Sequence, residues 1–211
     1  MKKILLTFCF VLLCVTSGNA QTLEEMFINA PEDLSTYINS DMRAELIKFC
    51  DPRKDTCSTV NNGLSGDTWI SHISNNLIVF HPCSAYTEEF RLLPNEIATD
   101  SVLCLIRTYY GPEPESTVTI YDKKWNKINT IDISELVCNT LTERPDTMDE
   151  STYDDLKHKI CFKMTKATFS KSEDDKLDLI PSAPFLASED RNRIKPLFMQ
   201  TIVKWNGKTF N

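Results

Sequence analysis

Between Thr68 and Tyr121 the chain runs through strand-like segments joined by very short turns, and this most restricts the fold open to it. Thr68 to Ile73 reads as a strand, Ser74-Asn-Asn76 as a tight turn, and Leu77 to His81 as the strand returning. Tyr86, Glu88, Phe90 and Leu92 share one side of the next strand, and Thr87, Glu89 and Arg91 share the other. Pro94-Asn95 ends it. Ser101 to Tyr110 is apolar on both sides at first, the mark of a central strand. Gly111-Pro-Glu-Pro114 turns the chain into Thr117 to Tyr121, and Asp122-Lys-Lys-Trp-Asn126 turns it again. Parallel pairs need long crossovers, and none of these connections has the length, so an antiparallel meander is expected.

Helical patterns flank the meander. Thr22-Leu-Glu-Glu25 has capping-box spacing before Met26 and Phe27, and Pro31 stops the helix. A second helix is expected from about Ser40, with Met42, Leu46 and Phe49 on one face, ending near Cys50 at Asp51-Pro52. Residues 139–152 are polar and acidic and read as an exposed loop, followed by a short helix from Tyr153 to Lys159. Strand patterning resumes from Cys161 to Ser170, turns at Ser172-Glu-Asp-Asp-Lys176, and returns from Leu177 to Ile180. Ser188 is placed to cap a last helix divided by Pro196. Thr201 to Trp205 forms a final strand, closed by the hairpin dipeptide Asn206-Gly207. The expected class is α+β: an antiparallel meander with N-terminal helices and a C-terminal strand–helix–strand segment packed on it. One domain over 21–211 is expected, divisible into 21–138 and 153–211 across the loop 139–152. A Trp-Asn pair at Trp125 echoes one at Trp205, too short a match to establish a duplication.

Lys2 and Lys3, an apolar run from Ile4 to Val15, and a small-polar tail ending at Ala20 read as a cleavable signal peptide. Cleavage is expected after Ala20. The run falls short of the about 20 residues a membrane span needs. A lipoprotein signal at Cys14 is the weaker alternative, because bulky Leu13 precedes it. No other segment is apolar enough to cross as a helix. Loss of Lys2 and Lys3 leaves 21 basic against 30 acidic side chains, a net charge of −9. Nucleic-acid binding is therefore disfavoured, since it depends on clustered Lys and Arg.

Of the eight cysteines, six follow Ala20. Cys50 and Cys57 flank a polar loop and are the best candidate disulfide, an export compartment permitting the bond. Cys104, inside Val102-Leu-Cys-Leu-Ile106, is expected to be a buried free thiol.

The search for chemistry is largely negative. His72 and His81 fall on adjacent strands but not opposite one another, and His158 sits in Lys157-His-Lys159 on a solvated face. No metal set follows. Gly63-Leu-Ser-Gly66 lacks the spacing of a nucleophile elbow. Glu88 and Glu89 point to opposite faces and cannot act as one carboxylate pair. Glu173-Asp-Asp175 reads as a hairpin tip. No cofactor is expected. Tyr109-Tyr110 beside Gly111-Pro112 is the chief candidate binding surface, suited to a glycan or a protein partner. Plain packing, one ring on the core and one over a strand edge, is the stronger expectation for the pair.

Met26-Phe27 with Pro31-Glu-Asp-Leu34, Leu92-Leu-Pro94, Gly111-Pro112 with Ser116 and Tyr121, Trp125, and Val203-Lys-Trp205 with Gly207-Lys208 and Phe210 form a set of landmarks. Together they resemble an uncharacterised exported family of Bacteroidetes. The resemblance implies a periplasmic or surface location in a Gram-negative bacterium and supplies no catalytic residues. Asp146-Thr-Met148 and Asp100-Ser-Val102 also resemble the Asp-Ser/Thr-apolar O-glycosylation sites of such proteins, with Thr147 the better candidate. The expectation is an exported, noncatalytic envelope binding or interaction module, monomeric or weakly associating. Its partner would be an envelope protein or a glycan. The alternatives are an extracytoplasmic hydrolase assembled only in three dimensions and a small-ligand carrier.

Overall fold

A computed structural model describes residues 21–34, 38–50, 59–96, 101–137, 141–160 and 163–211. Two helices open it: α1, Leu23–Ile28, and α2, Ser40–Phe49. The capping box of α1 is complete, with Thr22 Oγ1 accepting from Glu25 N and Glu25 Oε2 accepting from Thr22 N, both at 3.1 Å. Asn39 caps α2 through its Oδ1, which accepts from Met42 N at 2.9 Å.

Seven strands follow, each paired antiparallel with the next in sequence: β1 Val60–Asn61, β2 Asp67–Ile73, β3 Leu77–Cys83, β4 Tyr86–Pro94, β5 Ser101–Tyr110, β6 Pro114–Tyr121 and β7 Lys127–Ile131. After the short α3, Ile133–Leu136, and α4, Glu150–Lys159, come β8 Met164–Phe169, β9 Lys176–Ser182, α5 Ser188–Ile194, a 3-10 turn over Lys195–Leu197, and β10 Thr201–Lys204. The last three strands form their own antiparallel sheet in the order β10-β9-β8. The fold is α+β with a strand-rich meander, as the pattern predicts.

Strand alternation sorts the core into two layers. On one face of the large sheet, Ile70, Phe80, Phe90, Leu103 and Leu105 pack against Leu23, Met26, Phe27 and Leu46 of the helices. On the other face, Val102, Cys104, Ile106, Val118 and Ile120 pack against Ala167, Phe169, Leu177 and Leu179 of the small sheet. β5 is covered on both sides, which explains its unbroken apolar run. A third cluster joins Leu156 of α4 to Ala183, Leu186, Ile194 and Leu197 around α5.

Three local details differ from the sequence reading or go beyond it. Lys127–Ile131 is a strand that the turn at 122–126 leads into; four of its five residues are exposed, so its alternation carries no burial signal. Ser188 is the first residue of α5 and not its cap; Ala187 holds the cap position and offers no side-chain acceptor. Trp125 and Trp205 serve different layers. Trp125, at φ +64°, sits on the helix side beside Phe90 and Tyr121, whereas Trp205 packs on Phe210 and its Nε1 donates to Pro94 O at 2.6 Å.

β8 lies at the border of the small sheet, and side chains of the large sheet take up two of its backbone N–H groups. Ala167 N donates to Ser116 Oγ at 2.8 Å, and Phe169 N donates to Glu89 Oε2 at 2.9 Å. An exposed border of a sheet invites foreign strands, and here it is closed from within the fold.

Candidate functional site

Where β5 ends, its last two residues part company. Tyr109 lies opposite Tyr86 in the β4–β5 register and stacks on it, ring centroids 5.4 Å apart. Tyr110 points to the other face, where its hydroxyl meets Thr87 Oγ1 at 3.3 Å and its ring lies 5.8 Å from the Lys166 ammonium. Both rings stay about half exposed, 49% for Tyr109 and 42% for Tyr110. Neither ring lines the groove described next, but Tyr110 adjoins it through Lys166.

Lys166 also forms one wall of a groove of about 450 Å³. Ile180 and Pro181 of β9 supply an apolar floor, and Glu113-Pro114 of the β5–β6 turn supplies a rim. The far wall comes from Arg191, Lys195 and Phe198 at the end of α5 and the turn beyond it. The local sequence builds this wall. Arg191 and Lys195, four residues apart, share a helical face. Pro196 then stops α5 in a 3-10 turn, because it has no N–H to continue the ladder. Arg191 anchors the segment from below: its Nη2 donates to Pro184 O at 2.9 Å and Leu186 O at 3.0 Å, and its Nη1 lies 3.4 Å from Glu113. The groove thus gathers three cations and one carboxylate on a chain whose net charge is −7.

The other ionisable groups of the interior are engaged in holding the fold. Glu88, facing the helices, accepts from Arg107 Nε at 2.9 Å and Nη2 at 2.7 Å. Burial raises its pKa, and the nearby Arg107 and Arg43 oppose that rise. Arg43 is itself buried and donates to the carbonyls of Ile28, Ala30 and Ile38, tying down the segment between α1 and α2. Glu89, on the opposite face, accepts from the Thr168 hydroxyl and from Phe169 N; burial pushes its carboxyl above the usual range, against those bonds. Arg91 stacks 4.6 Å above Phe169 and donates to the carbonyls of Ser170, Glu173 and Asp174, closing the β8–β9 hairpin tip. Cys104 is a fully buried free thiol whose pKa burial raises, so it has no tendency to ionise.

One contact was not readable from the sequence. A bulge between Ile70 and His72 places Trp69 opposite His81 and turns Ser71 toward it. His81 Nε2 lies 2.7 Å from Ser71 Oγ, and the Trp69 ring stacks on the imidazole at 4.6 Å. Burial lowers the His81 pKa, which favours the neutral ring. Among the described residues no carboxylate meets the other ring nitrogen. His72 pairs with Val79 and not with His81, as the turn spacing requires, and His158 is exposed, its Nδ1 against Asp154 O. No group of three His, Cys, Asp or Glu is placed to hold a metal among the described residues. Cys57 lies outside the described residues, so the expected bond to Cys50 does too. Thr147 is exposed on the loop preceding α4.

A seven-stranded antiparallel meander carrying helices on one face and a three-stranded sheet on the other defines the class. The chain belongs to a family of proteins of unknown function, DUF3256, whose model matches residues 15–210. It is similar in fold to a solved domain of an uncharacterized protein from Porphyromonas gingivalis W83, with a TM-score of 0.66 and 16% identity over 90% of this chain and 98% of that one. No curated protein matches. No helix among the described residues is long and apolar enough to cross a membrane.

Proposed function

We propose that this is an exported, noncatalytic binding module of the cell envelope that engages its partner at the groove beside Tyr110. The observation that carries the reading is the groove itself: a concave surface of ligand-sized volume with an apolar floor and a few charged groups around it. The half-exposed Tyr110 extends it with an aromatic face able to stack on a sugar or a side chain. Export rests on the Lys2-Lys3 and Ile4–Val15 pattern and on the resemblance to exported Bacteroidetes proteins. The test is parallel capture from envelope extract by the wild-type protein and by Tyr110→Ala combined with Lys166→Glu. A species retained by the first and lost from the second is the expected result. Identical captures would remove the groove from the function. Thr147 is proposed to carry an O-linked glycan, and an intact mass of the native protein with Thr147 unmodified would refute this.

The Ser71–His81 contact favours a second reading, an extracytoplasmic hydrolase. It pairs a nucleophile with a neutral base at 2.7 Å. Turnover of p-nitrophenyl acetate lost in Ser71→Ala, with the fold intact, would establish it; equal background rates in both proteins would retire it.

A further inference from the structure

We infer that the groove is a carboxylate-binding site: an acidic group sits between Lys166 and Lys195 while the ligand's apolar body lies on Ile180, Pro181 and Phe198. This rests on the reading of the groove as the binding surface and names the chemistry of what enters it.

The charged groups of the groove differ in whether a partner already holds them. Arg191 is already engaged at both ends of its guanidinium, though its buried Nε has no partner among the described residues: two carbonyls hold Nη2, and Glu113 faces Nη1. Glu113 is answered by the same contact. Lys166 and Lys195 are different. Among the described residues neither has a carboxylate within ion-pair distance, although other surface lysines do, as Lys159 does with Asp155 and Asp190. Glu89 attracts Lys166 at longer range, but the two make no ion-pair contact and the oxygens of Glu89 are met by Thr168 and Phe169 N. Two ammonium groups with no ion-pair contact among the described residues thus border one concavity on a chain with an excess of seven negative charges. That contrast draws anions to this spot and away from the rest of the surface.

The kind of anion follows from the donors. A phosphate is best met by an open arginine fork, and of Arg191 the Nη2 is held by backbone carbonyls, the Nη1 faces Glu113 and the Nε is buried. Glu113 on the rim also repels a dianion more than a monoanion. Two lysine point charges suit a carboxylate. The remaining lining is apolar: Ile180 is 43% exposed toward solvent, and Pro181 and Phe198 adjoin it. A volume of about 450 Å³ accepts an acyl chain of several carbons or a few residues of a peptide. The carboxylate therefore comes either from a free aliphatic acid or from an acidic side chain of a peptide.

The experiment is an NMR titration of the full-length protein with three probes: hexanoate, hexanamide, and the peptide acetyl-Leu-Glu-Leu-amide. Hexanoate is expected to shift resonances of Lys166, Ile180 and Lys195 and to bind at least about tenfold more tightly than its uncharged isostere. Lys166→Gln with Lys195→Gln, both on the surface and checked for an unchanged melting temperature, is expected to abolish the difference. Glu113→Gln is expected to strengthen binding about two- to threefold by removing the rim charge. Tighter binding of hexanoate than of the peptide assigns a free acid; the reverse assigns an acidic segment. Equal binding of hexanoate and hexanamide, or unchanged binding in the double variant, overturns the inference, as does no binding of either acidic probe. A groove-dependent capture from envelope extract alongside any of these would leave the binding-module reading standing and remove only the carboxylate.

Discussion

Glu89 is the residue whose burial needs the most explanation, and its partners supply it. A carboxylate between two sheets costs free energy unless its oxygens are met, and here Thr168 and Phe169 N meet them. Replacing Glu89 with Ala strands the Phe169 N–H and is expected to cost about 1–3 kcal/mol in chemical denaturation. Glu89→Gln keeps an acceptor for that N–H and removes the charge, so its behaviour with pH separates the two roles. Because the folded-state pKa of Glu89 is raised, the unfolded chain releases its proton first as pH rises. The group therefore lowers stability progressively as pH climbs past the ordinary carboxylate value, and that slope is lost only above the folded pKa. Denaturation midpoints of Glu89→Gln are expected to fall less steeply than wild type across this window. An unchanged slope would assign the pH dependence to Glu88. This use of a carboxylate is not legible in the sequence, since the pattern places Glu88 and Glu89 on opposite faces without saying what waits there.

At the scale of elements, local sequence and observed structure agree most closely where one short-range rule decides the outcome. The Thr22–Glu25 capping box forms as spaced, and Thr22→Ala is expected to lower the melting free energy by about 1 kcal/mol. The turns at 74–76, 111–114 and 122–126 lie where their residues predict. Strand β7 escaped because an exposed border strand shows no buried side, and alternation is visible only when one side is hidden. The groove was half visible. Tyr110 stood out as an aromatic beside a Gly-Pro turn, and Arg191 and Lys195 have helical spacing. Lys166, in the middle of a strand, joins them only because β8 and α5 are brought together by tertiary packing, which no local pattern encodes. The bulge that turns Ser71 onto His81 is equally invisible, because the strand reads the same with or without it.

For the whole molecule, the central question is whether the two sheets unfold together. Core residues from β5 and β6 interlock with those from β8 and β9, so the segments before and after the loop 139–152 share one interior. A single cooperative transition is expected. Trp125 reports the helix layer and Trp205 the layer between sheets, so with Trp69→Phe in both, Trp125→Phe and Trp205→Phe proteins followed by fluorescence should melt in step once each variant's own stability is allowed for. Separate transitions would mean two subdomains. Leu179→Ala, which opens a cavity in the shared interior, is expected to cost about 2–5 kcal/mol and to shift both probes together. The Ser116 and Glu89 bonds to β8 carry a further consequence. They act as two dowels set two residues apart along the strand, at Ala167 and Phe169, so the small sheet cannot creep over the large one by a residue without withdrawing both. The mouth that Glu113 and Lys166 frame from opposite sheets is therefore a gauge of set width, cut before any ligand arrives.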